Sequence, residues 1–136
     1  MRHPDLRKMN LGAGMLDHVT IGISDIERSK RFYDQALRPL GIERLYGDGE
    51  TFAGYGADRK AFFWIGLRNA SQTGAHIAFT ARDRETVEIF HRTALAAGGQ
   101  DNGPPGLRPH YDKNYYGAFV LDPDGHNIEA VCRKPA

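Results

Sequence analysis

The stretch Tyr115–Cys132, YYGAFVLDPDGHNIEAVC, decides how this chain is read. It is two apolar runs separated by Leu121-Asp122-Pro123-Asp124-Gly125-His126. Pro123 presets φ for a type I turn, and Gly125 supplies the left-handed residue that closes a three-residue hairpin loop. A loop of that length sets Asp122 opposite His126, and therefore Phe119 opposite Glu129. Side chains alternate along the returning strand, so Ile128, Ala130 and Cys132 share one face while Asn127, Glu129 and Val131 share the other. On the outgoing strand, Tyr115, Gly117 and Phe119 fall on the Glu129 face. A carboxylate in mid-strand among apolar neighbours needs water or a partner. Candidate partners lie upstream.

Leu16 to Ile23 (LDHVTIGI) alternates, with Val19, Ile21 and Ile23 on one face and His18, Thr20 and Gly22 on the other. Ser24 or Asp25 then caps a helix to about Leu40, on which Ile26, Phe32, Ala36, Leu37 and Leu40 keep near-helical spacing; Gly41 stops it. Three short strands follow, ERLYG, TFAGYG and AFFWIGL, and Asn69 to Gly74 reads as a loop. The pattern restarts at Ala75 to Ala81 (AHIAFTA), with Ile77 and Phe79 on one face and His76, Ala78 and Thr80 on the other. Asp83 opens a second helix to about Ala97, ended by Gly98-Gly99. Gly103 to Pro109 (GPPGLRP) reads as an irregular loop before the hairpin.

The restart is an internal repeat. Sliding the chain on itself so that His18 falls on His76 also matches Asp25 with Asp83, Glu27 with Glu85, Phe32 with Phe90, Ala36 with Ala94, Leu37 with Leu95 and Gly41 with Gly99. Chance at average composition gives roughly one or two identities over such a span. The chain therefore reads as a duplicated strand-helix-strands module, an α+β fold. Each module has an apolar sheet face for its helix, and the opposite faces carry His18, His76 and Glu129. If the two curved sheets enclose a cleft, two imidazoles and one carboxylate converge as a facial triad. Such a set leaves positions open for substrate or water on one divalent ion, Fe, Mn, Zn, Ni or Co. His3, His91, His110 and His126 lack a paired position and read as hydrogen-bonded core or surface residues.

Composition bounds the rest. A chain of 136 residues with net charge +1 gives no electrostatic case for nucleic acid or an anionic membrane. No run approaches the roughly 18 apolar residues of a spanning helix. The single cysteine fits a reducing, cytoplasmic setting, and Cys132 on the Ile128 face reads as a packing residue. Residues 1–14 have no periodicity and no apolar segment of a secretory signal, so they read as an N-terminal arm, with Met15 as an alternative start. The remaining 15–136 read as one domain, with module 1 at about 15–68 and module 2 at about 74–133.

LDHVTIGISDIERSKRFYDQAL, GAHIAFTARD and AFVLDPDGHNIEAV resemble the vicinal oxygen chelate superfamily, which includes glyoxalase I, extradiol dioxygenases, fosfomycin-resistance transferases and bleomycin-resistance proteins. The resemblance implies a glyoxalase-like fold: two βαβββ modules whose curved sheets form an open, barrel-like cleft, usually in a homodimer. It implies a divalent metal on His18, His76 and Glu129, and a small-molecule substrate bound through vicinal oxygens. A glyoxalase-type fourth ligand would fall near Trp64, which cannot ligate. Thr20 matches a threonine of the fosfomycin transferases, whereas bleomycin-resistance proteins lack the metal ligands.

The reaction implied is of lyase/isomerase or dioxygenase type, with Glu129 as a ligand and a catalytic base. The alternative is a non-catalytic protein that sequesters a small molecule in the same cleft. Tyr115 is placed to hydrogen-bond a substrate or metal-bound oxygen. Phe119 and Trp64 either wall a substrate or fill the barrel, and His110 and Tyr111 lie in a segment suited to a lid.

Overall fold

The computed structural model describes residues 16–68 and 74–136; the expected N-terminal arm and the loop at 69–73 lie outside them. Module 1 consists of β1 (Val19–Ile23), α1 (Ile26–Ala36), a 3-10 turn (Arg38–Leu40), β2 (Glu43–Gly47), β3 (Phe52–Ala57) and β4 (Lys60–Leu67). Module 2 consists of β5 (His76–Thr80), α2 (Arg84–Ala96), β6 (Gln100–Leu107), β7 (Tyr116–Leu121) and β8 (Asn127–Cys132). The sheets have equivalent orders, β1-β4-β3-β2 and β5-β8-β7-β6. In each, the first strand runs parallel to the last. This is the duplicated βαβββ architecture that the repeat predicts. Among the described residues, no helix is long and apolar enough to cross a membrane.

Local chemistry explains the elements. Asp25 caps α1 by accepting from the Arg28 amide, and Asp83 caps α2 in the same way from Thr86. The first helix ends at Ala36, earlier than its apolar spacing implies. Pro39 has no N–H to continue the α ladder, so the chain tightens into the 3-10 turn. Gly41 closes that turn at φ +79°. Its repeat partner Gly99 does something else. A Cβ there would meet Val120 at 2.4 Å and Phe32 at 2.8 Å, and the left-handed position belongs to Gly98. Paired in sequence, the two glycines do unlike work.

The GPPGLRP segment is a correction: Gly103 to Leu107 lie in β6, and only Arg108 and Pro109 fall in the loop beyond it. It is an edge strand, and Pro104 and Pro105 fall where the register slips between Gly103↔Phe119 and Gly106↔Gly117. The missing proline N–H groups are tolerated at an edge bulge.

One core runs through both modules. Phe32, Tyr33 and Ala36 of α1, Phe63 and Ile65 of β4, Val87, Phe90 and Ala94 of α2, and Ile128, Ala130 and Cys132 of β8 all belong to it. Phe63 meets Phe79 edge to face at 5.3 Å, bridging the two sheets. Burying each large side chain contributes about 1.5–3 kcal/mol. Cys132 is a packing residue, as its face predicts.

The DPDG turn has a second role that its sequence does not announce. Ala75 N–H donates to Nδ1 of His126, so Nε2 carries the proton and donates to the Gly22 carbonyl at 2.7 Å. Tyr33 donates to Asp122 at 2.5 Å, and the Ser24 amide donates to Asp124 at 3.1 Å. Burial and the Asp122 carboxylate push the Tyr33 phenol well above its usual value. The hairpin tip thus clamps module 2 onto the end of β1 and the start of α1. Among the described residues no strand pairing joins the two sheets, which are not closed into a barrel.

Candidate functional site

Module 2 carries a built cluster. The hairpin register sets Phe119 opposite Glu129, as the loop length predicts. In the parallel β5/β8 pair, Ala78 is opposite Glu129 and His76 is opposite Asn127. Alanine leaves room for the His76 ring to cross diagonally, and its Nε2 lies 2.8 Å from Glu129 Oε1. Tyr115 donates its hydroxyl to the other oxygen, Oε2. The ring reaches it across Gly117, where a Cβ would sit 3.2 Å from Tyr115 Cε1 and 3.4 Å from Glu129 Oε2. Glu129 is 1% exposed, whereas the His76 side chain is 54% exposed. A buried carboxylate therefore holds one solvent-facing imidazole and one phenol. Burial and Glu129 push the Tyr115 phenol up to about 12.

The surroundings are aromatic and cationic. Phe119 packs 6.1 Å from the His76 ring, with the Arg108 guanidinium 5.3 Å over it. The Arg133 guanidinium lies 4.8 Å over the Tyr115 ring, and Tyr111 meets Tyr115 edge-on at 5.0 Å. His110 and Tyr111 are exposed and in contact with each other at 4.3 Å, at the mouth of the cluster.

Module 1 holds His18 on a separate face. Its Nδ1 pairs with Asp17 at 2.8 Å, and Asp17 also takes Lys60 at 2.7 Å. Hydrogen bonds from Lys60 first and His18 second lower the Asp17 carboxyl below its ordinary value. Among the described residues, no three His, Cys, Asp or Glu side chains lie close enough to hold a metal ion. The convergence of His18, His76 and Glu129 expected from the sequence is therefore not seen among the described residues of one chain.

The module 1 face is also built on absent side chains. Gly22 pairs with Gly66, and Gly54 pairs with Trp64. A concavity of about 450 Å³ lies on this face, lined by His18, Thr20, Phe52, Trp64, Gly66 and Arg68 among others. Trp64 is half-buried and near-parallel to Tyr46, at 13° and 5.9 Å. Sequence reasoning missed Asp17, Arg68 and the room that Gly54 gives Trp64 and Gly66 gives Arg68; the glycines of GYG and WIGL were its signal.

Comparison with known proteins bears on this arrangement. A family model, Glyoxalase/Bleomycin resistance protein/Dioxygenase superfamily, matches residues 15–130. A glyoxalase/bleomycin resistance protein from Albidiferax ferrireducens T118 is similar in structure at a TM-score of 0.74. It is 32% identical over 87% of this chain and 98% of that one. A glyoxalase-related enzyme from Fulvimarina pelagi gives a TM-score of 0.68 and 26% identity over 84% of each chain. The fosfomycin resistance protein FosX from Listeria monocytogenes, solved with Mn(II) and 1S,2S-dihydroxypropylphosphonic acid, gives a TM-score of 0.63. At 20% identity, over 85% of this chain and 87% of that one, it shows likeness of fold alone. No curated protein sequence matches this chain.

Proposed function

The chain belongs to the glyoxalase/bleomycin resistance protein/dioxygenase superfamily, and from that premise we propose that it is a divalent-metal-dependent enzyme acting on a small molecule with vicinal oxygens. The reaction is of lyase/isomerase or dioxygenase type. The observation that carries the reading is the His76–Glu129 pair, an imidazole nitrogen and a buried carboxylate oxygen 2.8 Å apart on neighbouring strands. Nothing apolar in the core requires that carboxylate, and a buried charge is retained only with partners.

The donor chemistry fits a divalent cation. His76 and Glu129 supply two donors from module 2. His18 of a second copy supplies the third, in a homodimer where the module 1 face of one chain meets the module 2 face of the other. Asp17 on Nδ1 leaves His18 Nε2 as the ligating atom. When bound, the ion acts as a Lewis acid on the substrate's oxygens. Tyr115 fixes the rotation of the Glu129 carboxylate by holding Oε2, so Oε1 faces the site. Glu129 would also serve as the base. Phe119 excludes water from the carboxylate, and Tyr111 and His110 stand at the entrance.

The test is the metal content of protein purified without added metal or chelator. About one equivalent per chain, lost in His18→Ala and in Glu129→Ala, supports the reading. No metal, and no uptake of Fe, Mn, Ni, Co or Zn when offered, rejects it. A second reading, a non-catalytic small-molecule-binding protein, draws on one observation. Both Glu129 oxygens already have protein partners, so the cluster is satisfied as it stands.

A further inference from the structure

We propose that the concavity on module 1 seats a flat aromatic carboxylic acid, its ring against Trp64 and its carboxylate on Arg68. The proposal rests on the metal reading only in taking this space, which His18 borders, as the substrate chamber. At about 450 Å³, the space has the size of a small-ligand site.

The platform is made by a missing side chain. A Cβ on Gly54 would fall 2.5 Å from the Trp64 ring, so only glycine lets the indole lie flat along the sheet. Tyr46 extends that surface in an offset stack, and Phe52 borders it at 6.1 Å. Tyr46 is 54% exposed and Phe52 38% exposed, so the strip presents apolar ring surface to water. An aromatic ring laid there buries that surface and gains stacking beyond its area.

Charge selects the substituent. The Arg68 guanidinium folds back over Gly66, with one terminal nitrogen 3.1 Å from where a Cβ would sit, on the Trp64 side of the sheet. Its hydrogen bond is to the Leu67 carbonyl at 2.9 Å, and it forms no ion pair among the described residues. Lys60, the other cation at this space, is already neutralised by Asp17 at 2.7 Å. Arg68 is thus the cation open to a ligand, and its planar fork matches a carboxylate in two parallel hydrogen bonds.

Trp64 is the single tryptophan of the chain, so its fluorescence reports this site directly. The experiment titrates the full chain, treated with chelator, with benzoate, benzamide and cyclohexanecarboxylate, in wild type and in Arg68→Gln. The expected result is saturable quenching by benzoate. The apparent Kd rises tenfold or more for benzamide, for cyclohexanecarboxylate, and for benzoate on Arg68→Gln. Equal quenching by benzoate and benzamide, or unchanged benzoate affinity in Arg68→Gln, overturns the proposal. Metal content of the same preparation before chelator treatment, with its uptake of Fe, Mn, Ni, Co or Zn when offered, separates the two readings. One equivalent of metal without benzoate quenching removes the aromatic seat alone, whereas benzoate quenching in a protein that takes up no metal upholds the seat and removes the metal reading.

Discussion

Glu129 is held at both oxygens, Oε1 by His76 at 2.8 Å and Oε2 by Tyr115. Removing the Tyr115 hydroxyl in Tyr115→Phe leaves a buried carboxylate oxygen without its donor. Such a loss costs about 1–3 kcal/mol, to be read from urea denaturation. A freed carboxylate also lowers metal affinity, by roughly 10–100-fold for lost outer-shell support. Unchanged stability and unchanged metal affinity would together contradict the role given to Tyr115.

The same bond predicts an alkaline signature. Because the folded phenol is raised from 10.0 to about 12, its contribution is complete below pH 10 and is lost as pH climbs through the folded value. Wild type should lose stability relative to Tyr115→Phe between about pH 10 and 12. Parallel pH profiles of the two proteins across that window would rule the contribution out.

Asp17 sets the tautomer of His18. In Asp17→Asn, the amide pairs less strongly with Nδ1 and no longer favours Nε2 as the ligand. Metal affinity measured by chelator competition should fall roughly 10–100-fold, with the far-UV spectrum unchanged because Asp17 is exposed. Affinity equal to wild type would show that His18 orients itself.

His126 is the clamp between modules. In His126→Ala, the Gly22 carbonyl and the Ala75 amide both lose their partner within a buried junction. The expected cost is about 2–4 kcal/mol, seen as a lower urea midpoint. A cost below about 0.5 kcal/mol would mean the clamp is incidental.

Gly54→Ala tests the platform without touching a charge. Its Cβ would displace the indole, shifting Trp64 emission and weakening benzoate quenching while the sheet persists. An unshifted emission maximum would show that the ring lies elsewhere.

Much of this was legible in the chain. Pro123 and Gly125 set the hairpin register, and with it the Phe119–Glu129 pair. Ser24 or Asp25 and Asp83 announced both helix starts, with Asp25 the cap in the structure, and the His18/His76 repeat announced two equivalent sheets. What was hidden depends on tertiary placement. Prolines 104 and 105 disguise β6, because an edge strand forgives what a central strand cannot. His126 reads as a hydrogen-bonded core or surface residue, but its partner, the carbonyl of Gly22 in the other module, is known only from the fold. Three polar residues on like faces do not reveal that, among the described residues of one chain, no three ligand side chains lie close enough to hold a metal ion. Only the folded sheet shows that Gly54 makes room for the Trp64 ring and Gly66 for the Arg68 guanidinium.

The central claim is a metal site completed across two chains by His18, His76 and Glu129. It is tested most directly by measuring bound metal in His18→Ala, in Glu129→Ala, and in the two unfolded together and refolded as an equal mixture. Each variant alone should hold none. In the mixture, a dimer with one copy of each has one intact set, so metal binding should reappear, at about a quarter of the wild-type amount for random pairing. A mixture as empty as its components, beside a fully loaded wild type, would contradict a site shared between chains.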